Sequence, residues 1–235
     1  MAWYAKPRGG YDANSSSGLS NIFAFRSALS TWTVEAVSGM LGNVQAESGL
    51  NPWRWQGDSY GTSRGYGLFQ FTPASSYLAL SGATPNLSTT SVTTGATPED
   101  AERQIQAMRS DELGKWNSSA WRSYWDTTTY ASLYAYRQQC LNDWGHGTGI
   151  SIAEFADVQD VYAAPFLFLA CFEGPAVPNI DARNRNAANM YKILTGSEPA
   201  PPYVPPDPEP PSPTPTPIEK WLVAVLKKTA ERRLS

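Results

Sequence analysis

The chain has 235 residues and a formal net charge of −3. A weakly acidic balance predicts no strongly basic surface, so we expect no dedicated nucleic-acid-binding role. Two cysteines and one histidine are too few for a metal site of the usual Cys/His spacing, and we expect neither a metal nor a cofactor.

The first predicted elements are helical. A polar lead over residues 1–20 predicts a loosely held segment, and a short helix follows at 21–29. The clearest helix begins after Thr33, a good N-cap residue, and Gly49 and Pro52 predict its end. It carries apolar residues at helical spacing, namely Val34, Val37, Met40, Leu41 and Val44.

Residues 53–73 change character, because four glycines interrupt an aromatic-rich stretch. This pattern is typical of a short β-hairpin. The remaining core elements are predicted to be helices, beginning near Thr97, at 130–141, from Ser151 through the apolar run 161–172, and at 181–194. We therefore expect an α+β fold that is mainly α-helical, with a small β-hairpin lobe.

The end of the chain has a different composition, which predicts a domain over 1–197, a linker over 198–217 and a helix over 218–235. Eleven of the nineteen residues 199–217 are proline, which is typical of a polyproline II spacer. After the spacer, apolar residues at helical spacing precede a basic end, which predicts an amphipathic helix. Its apolar stripe requires a partner: a groove on another protein, a second copy, or a membrane surface.

Glu47 is the leading catalytic candidate. An isolated acid at a helix end is ordinarily a surface residue. Here the partial negative charge of the helix C-terminus and the neighbouring aromatic residues both predict a raised carboxyl pKa. A carboxyl that keeps its proton is what a general acid for glycosidic cleavage requires.

A competing pattern is Gly61–Gly65, which matches the G-x-S-x-G sequence of serine hydrolases at Ser63. A nucleophile elbow needs a buried strand before the serine and a helix after it, and this glycine-rich stretch predicts neither. His146 lies between two glycines and is interpreted as a loop residue. We therefore interpret Ser63 as part of a turn.

Two blocks resemble the phage tail lysozyme family, in particular the lysozyme domain of podophage tail-knob proteins. MLGNVQAESGLNP, residues 40–52, resembles the helix that bears the catalytic glutamate of the family. YGLFQFTP, residues 66–73, resembles its substrate-cupping segment. A third block, 168–188, departs from the family with Gly174 where an arginine is usual, which leaves open any ion pair from that position. The resemblance covers roughly residues 10–195.

The resemblance implies a lysozyme-like fold that cleaves the glycan of peptidoglycan between N-acetylmuramic acid and N-acetylglucosamine. It places Glu47 at the catalytic position and leaves the second carboxylate open between Asp58 and Glu173. The substrate-binding candidates are Trp55, Asp58, Tyr66, Gln70 and Glu173.

The resemblance also implies a place of action. The N-terminus has no apolar segment of a secretory signal, which fits a protein made in the host cytoplasm and carried in the virion. The expected partners are peptidoglycan and, through residues 218–235, another tail protein, rather than a membrane. Two alternatives stay open: a lytic transglycosylase of the same fold, and a catalytically silent structural tail protein.

Overall fold

The computed structural model describes residues 2–81, 98–123, 137–142, 149–175 and 177–201, with the backbone alone at 98 and 99. The predicted helix 218–235 and all but the first residues of the linker lie outside this set. The described residues are mainly helical, as the sequence predicts. Residues 137–142 are helical, and the remaining helices are α1 (Ser16–Ala28), α2 (Val34–Ser48), α3 (Ala74–Ser81), α4 (Pro98–Arg109), α5 (Ala120–Ser123), α6 (Ile152–Ala156), α7 (Ala163–Phe168) and α8 (Ile180–Thr195).

Helix α2 forms as its sequence predicts and lies at the centre of the core. The side chain of Thr33 accepts a hydrogen bond from the backbone N–H of Ala36, and Gly49 ends the helix in the left-handed conformation with φ 60°. The helix packs against both α7 and α8. Among the described helices, none has the length and hydropathy of a membrane span.

Two glycines of α2 allow its neighbours to approach closely. A Cβ added at Gly39 would lie 2.3 Å from the Cβ of Ala164 in α7, and one at Gly42 would lie 2.6 Å from the carbonyl oxygen of Arg183 in α8. A glycine inside a helix costs about 1 kcal/mol relative to alanine, whereas overpacking typically costs about 1–3 kcal/mol. Close packing therefore outweighs helix propensity, and it brings Arg183 next to α2.

The apolar run 161–172 forms the predicted buried helix, but the helix is not regular throughout. After α7, residues Leu169–Glu173 continue as a π-helical turn. The backbone N–H of Gly174 donates to the carbonyl oxygen of Leu169 over 2.8 Å, five residues back. This turn carries Glu173 at its end.

The predicted β-hairpin is reduced to two isolated bridges, Trp55 with Tyr66 and Tyr66 with Phe71. A 3₁₀ turn, Gln56–Asp58, separates the bridged residues. The ladder does not extend because the backbone repeatedly adopts left-handed conformations, at Gly57, Asp58, Gly67 and Gln70. The lobe is therefore a series of turns packed on the helical core.

The N-terminal segment is held firmly, which corrects the prediction of a loose lead. Trp3 is 1% exposed and packs edge-on against Phe25. The side-chain amide of Asn21 donates to the carbonyl oxygens of Tyr4 and Leu50, and that of Asn51 donates to two further carbonyls of the segment. Such side-chain to backbone bonds leave no periodic signal in a sequence, so the pattern at 1–20 could not reveal them.

Candidate active site

A cleft of about 500 Å³ opens at the C-terminal end of α2. Glu47 lies on the last turn of this helix with 24% of its side chain exposed, so its carboxyl is accessible from the cleft. The cleft is lined by Glu47, Arg54, Gln56, Gly57, Phe69, Gln70, Thr72, Lys115, Glu173 and Pro175. This mixture of acids, bases and amides suits a polar ligand.

Arg183 of α8 joins the two acids of the cleft. Its Nη2 lies 2.5 Å from Oε1 of Glu47, and its Nη1 lies 2.7 Å from Oε2 of Glu173. The guanidinium is 4% exposed and also donates to the side-chain oxygen of Asn43 and the carbonyl oxygen of Pro178. The sequence predicted an acid among apolar rings, but the structure places a buried guanidinium directly beside Glu47.

Glu173 is the acid of the pair that keeps its proton. Its side chain is 5% exposed, and burial raises its pKa to about 8, with the negative charge of Glu47 acting in the same direction. The positive charges of Arg183 and Lys115 oppose the shift but do not cancel it. Its second oxygen, Oε1, is buried without a hydrogen-bond partner. Near neutral pH the cleft therefore holds a protonated acid behind an accessible one.

We expect this protonated acid to make stability depend on pH. The unfolded chain releases the Glu173 proton above pH 4.5, whereas the folded protein retains it up to about pH 8. The free energy of unfolding should therefore fall by a few kcal/mol as the pH rises from 4.5 to 8. Glu173→Gln imitates the protonated form, so urea denaturation at pH 5 and pH 8 should show a smaller pH dependence in this variant.

The control for that measurement is Glu102→Gln, which removes an acid from an exposed position of α4. Its pH dependence should match that of the wild-type protein. An unchanged pH dependence in Glu173→Gln would show that Glu173 ionises normally in the folded protein.

Of the predicted substrate-binding residues, Gln70 and Glu173 line the cleft. Gln70 has a left-handed backbone with φ 46°. Its side-chain amide donates to the carbonyl oxygens of Arg54 and Gly67 over 3.0 and 2.9 Å. These bonds fix its own loop, so Gln70 presents a rigid surface to the cleft.

Trp55 and Tyr66, two of the predicted substrate-binding residues, are not among the residues that line the cleft. Both are buried, at 1% and 0% exposure, and their ring centroids lie 4.5 Å apart. The hydroxyl of Tyr66 donates to Asp100 over 2.8 Å, and burial raises its pKa. The aromatic residues that suggested stacking on a sugar instead support the cleft wall from behind.

Asp58 is also absent from the cleft lining. Its carboxylate lies 2.7 Å from Nε of Arg54 and accepts a hydrogen bond from the backbone N–H of Gly9 over 2.8 Å. The charge of Asp58 thus orients Arg54 and holds the N-terminal segment. Of the two acids considered for the second carboxylate, only Glu173 reaches the cleft.

Arg183 was not predicted from the sequence, although a signal exists. Ile180, Ala187 and Met190 are buried on one face of α8, and Arg183 falls on this face at helical spacing. A charged residue on an apolar stripe requires a buried partner. Arg183 also forms an ion pair with Glu173, the residue before Gly174.

Within the described residues, no group of three histidine, cysteine, aspartate or glutamate side chains is arranged to hold a metal ion.

Comparison with known proteins identifies relatives of this chain. A sequence model of the family described as phage tail lysozyme matches residues 20–194. Morphogenesis protein 1 of Bacillus phage B103 is 31% identical over 166 residues, which cover 70% of this chain and 36% of that protein. The similarity thus spans about a third of that relative. The matched range of the family includes α2, the cleft and α8.

Proposed function

Since this chain belongs to the phage tail lysozyme family, we propose that it is a virion-borne muramidase that cleaves peptidoglycan between N-acetylmuramic acid and N-acetylglucosamine. The observation that carries the proposal is the acid pair. Glu47 is accessible at the end of α2, and Glu173 retains a proton behind it. Two neighbouring carboxyls that line one cleft are the usual equipment for glycosidic cleavage.

In the proposed reaction Glu47 is the general acid. It donates a proton to the glycosidic oxygen as the bond to the muramic acid carbon breaks. Water then captures the sugar cation and returns a proton to the Glu47 carboxylate. Arg183 contacts both carboxyls, so it stabilises the negative charge on whichever of the two is ionised.

One observation favours a second candidate, a lytic transglycosylase of the same fold. Among the described lining residues, Glu47 is the accessible acid, whereas Glu173 is buried and Asp58 is paired outside the lining. No exposed second carboxylate is thus available there to activate water. A transglycosylase needs one acid, because the 6-hydroxyl of the muramic acid attacks and closes an anhydro ring.

Mass spectrometry of the fragments released from purified peptidoglycan tests both candidates. A muramidase gives products with a reducing muramic acid, and a transglycosylase gives anhydro products that are lighter by one water. We expect the hydrolytic products, released about 10²–10⁴-fold more slowly by a Glu47→Gln preparation. If the wild-type chain releases no glycan fragment at all, the catalytically silent structural role is the correct one.

We also propose that residues 198–217 tether, and residues 218–235 anchor, the enzyme to another tail protein. The proposal is supported by the proline-rich sequence of the tether and the apolar stripe of the anchor. Deleting residues 202–235 removes none of the described core, so the truncated chain should fold and cleave peptidoglycan normally but should no longer be incorporated into virions.

Incorporation is measured by immunoblotting purified particles produced with full-length or truncated protein. A control chain should keep residues 202–235 and replace only Trp221 and Leu222 with serine. If this variant is incorporated as well as the wild type, the apolar stripe is not the anchor. Vesicle binding and sedimentation of the purified chain separate the membrane and self-association alternatives.

A further inference from the structure

Lys115 lines the same cleft as Arg54. Arg54 and Arg183 each form an ion pair with a carboxylate of the protein, whereas Lys115 forms none with the described residues. In the described part of the chain its ammonium group makes no hydrogen bond and no ion pair. It lies over the faces of two buried rings, 5.2 Å from the centroid of Phe172 and 5.9 Å from that of Phe71. Burial lowers its pKa, although Glu47 and Glu173 attract its charge. A partly desolvated cation without a hydrogen-bonded partner is costly.

The backbone beneath Lys115 is, in contrast, firmly held. The carboxylate of Asp111 accepts hydrogen bonds from the backbone N–H groups of Lys115 and Trp116 over 2.7 and 3.0 Å. The indole of Trp116 donates to the carbonyl oxygen of Ile150 over 2.9 Å. The lysine is thus presented to the cleft from a fixed turn while its ammonium group remains available.

The other positive charges near the cleft are paired with carboxylates, which leaves the positive charge of Lys115 in excess. Arg54 is paired with Asp58, and Arg183 is paired with Glu47. Glu173 is neutral near neutral pH, as its raised pKa of about 8 indicates. Among the described residues of the cleft, Lys115 is therefore the cation that forms no ion pair, on a chain whose net charge is −3. Such a site suits a ligand that brings its own negative charge.

We propose that Lys115 is a specificity-determining residue that binds a carboxylate carried by the 3-O-lactyl arm of muramic acid. This inference rests on the proposed function, because it concerns the same cleft and the same glycan. The carboxylate has two possible sources, the lactyl group itself in stem-free glycan or the peptide stem in stem-bearing glycan. Oligomers of N-acetylglucosamine lack the arm and carry no charge, so they do not engage Lys115.

The test compares three soluble ligands of equal length: a neutral N-acetylglucosamine oligomer, stem-free glycan and stem-bearing glycan. Binding is measured by calorimetry in the Glu47→Gln background, so that no ligand is consumed, and kcat/KM is measured with Glu47 present. A charge-assisted hydrogen bond corresponds to about a ten- to hundredfold difference. Lys115→Met should weaken binding of a carboxylate-bearing glycan by this factor and leave the neutral oligomer unaffected.

Two further variants distinguish recognition from a structural role. Lys115→Arg keeps the charge and should restore most of the preference for the carboxylate. Lys6→Met is the matched control, because the Lys6 ammonium also lies over a ring, 4.5 Å from the centroid of Tyr11, but outside the cleft lining. It should change binding to none of the ligands.

The source of the carboxylate is identified by which ligand Lys115→Met binds more weakly: stem-free glycan, stem-bearing glycan or both. An equal loss on all three ligands would overturn the inference, because Lys115 would then act on the fold or on the acid pair. The inference would also be overturned if the charged glycans were cleaved at a rate that does not depend on Lys115. If no glycan is cleaved but the carboxylate preference in binding depends on Lys115, the proposed function fails and the inference stands.

Discussion

We expect the Glu47→Gln variant to cleave peptidoglycan glycan about 10²–10⁴-fold more slowly than the wild-type protein. Glutamine keeps the shape of the side chain and removes the proton that the leaving oxygen requires. Glu173 cannot replace it, because only 5% of its side chain is exposed. The measurement is the initial rate of fragment release at equal concentrations of folded protein.

The fold should survive this substitution. The charge of Glu47 is one of the causes that raise the pKa of Glu173, so its removal lets Glu173 ionise more readily and neutralise Arg183. Asp58→Asn is the matched control, since it also converts an acid to an amide and asparagine tolerates the φ of 53° at this position. A Glu47→Gln enzyme as active as the wild-type protein would exclude Glu47 as the general acid.

We expect Arg183→Met to lower the free energy of unfolding by about 3–5 kcal/mol, the usual cost of breaking a buried ion pair by removing one partner. Four groups lose their donor at once: the carboxyls of Glu47 and Glu173, the side-chain oxygen of Asn43 and the carbonyl oxygen of Pro178. Urea denaturation monitored by tryptophan fluorescence measures the effect.

The matched control is Arg185→Met, which lies on the same helix at an exposed position and should change stability by less than about 0.5 kcal/mol. The destabilisation by Arg183→Met should also depend on pH. Arg183 lowers the pKa of Glu173, so the cost of removing it should be greatest above about pH 8, where Glu173 ionises in the wild-type protein, and smaller near pH 4. An equal loss in both arginine variants would contradict the role of Arg183 as the link between the acids.

Local patterns predicted much of the helical frame. Thr33 caps the start of α2, Gly49 ends α2 and Gly196 ends α8, because capping depends on residues adjacent in sequence. The position of Glu47 at the mouth of a cleft follows from that helix boundary, together with the resemblance of residues 40–52. These features depend on residues that are close together in the chain, so a single sequence is enough to predict them.

The features that were not predicted all depend on contacts between distant residues. Arg183 reaches Glu47 across 136 positions, and no spacing rule connects them. Tyr66 was expected to stack on a sugar, but its hydroxyl donates a hydrogen bond to Asp100 in α4, 34 positions away. In the glycine-rich stretch the aromatic residues have no periodicity, so the sequence could not distinguish those that face the core from those that face the cleft.

The π-helical turn at Leu169–Glu173 has a consequence for insertions and deletions in this chain. Each residue of a regular α-helix advances the direction of the side chain by about 100°. A π-helical turn contains one residue more than the α-helical turn it replaces, so removal of one residue before Glu173 would restore the ordinary four-residue hydrogen bond and leave the flanking residues nearly in register. We therefore expect a one-residue deletion within this turn to move Glu173 less than a one-residue deletion within the regular turns of α7, which would rotate the position of Glu173 by that angle, away from Arg183.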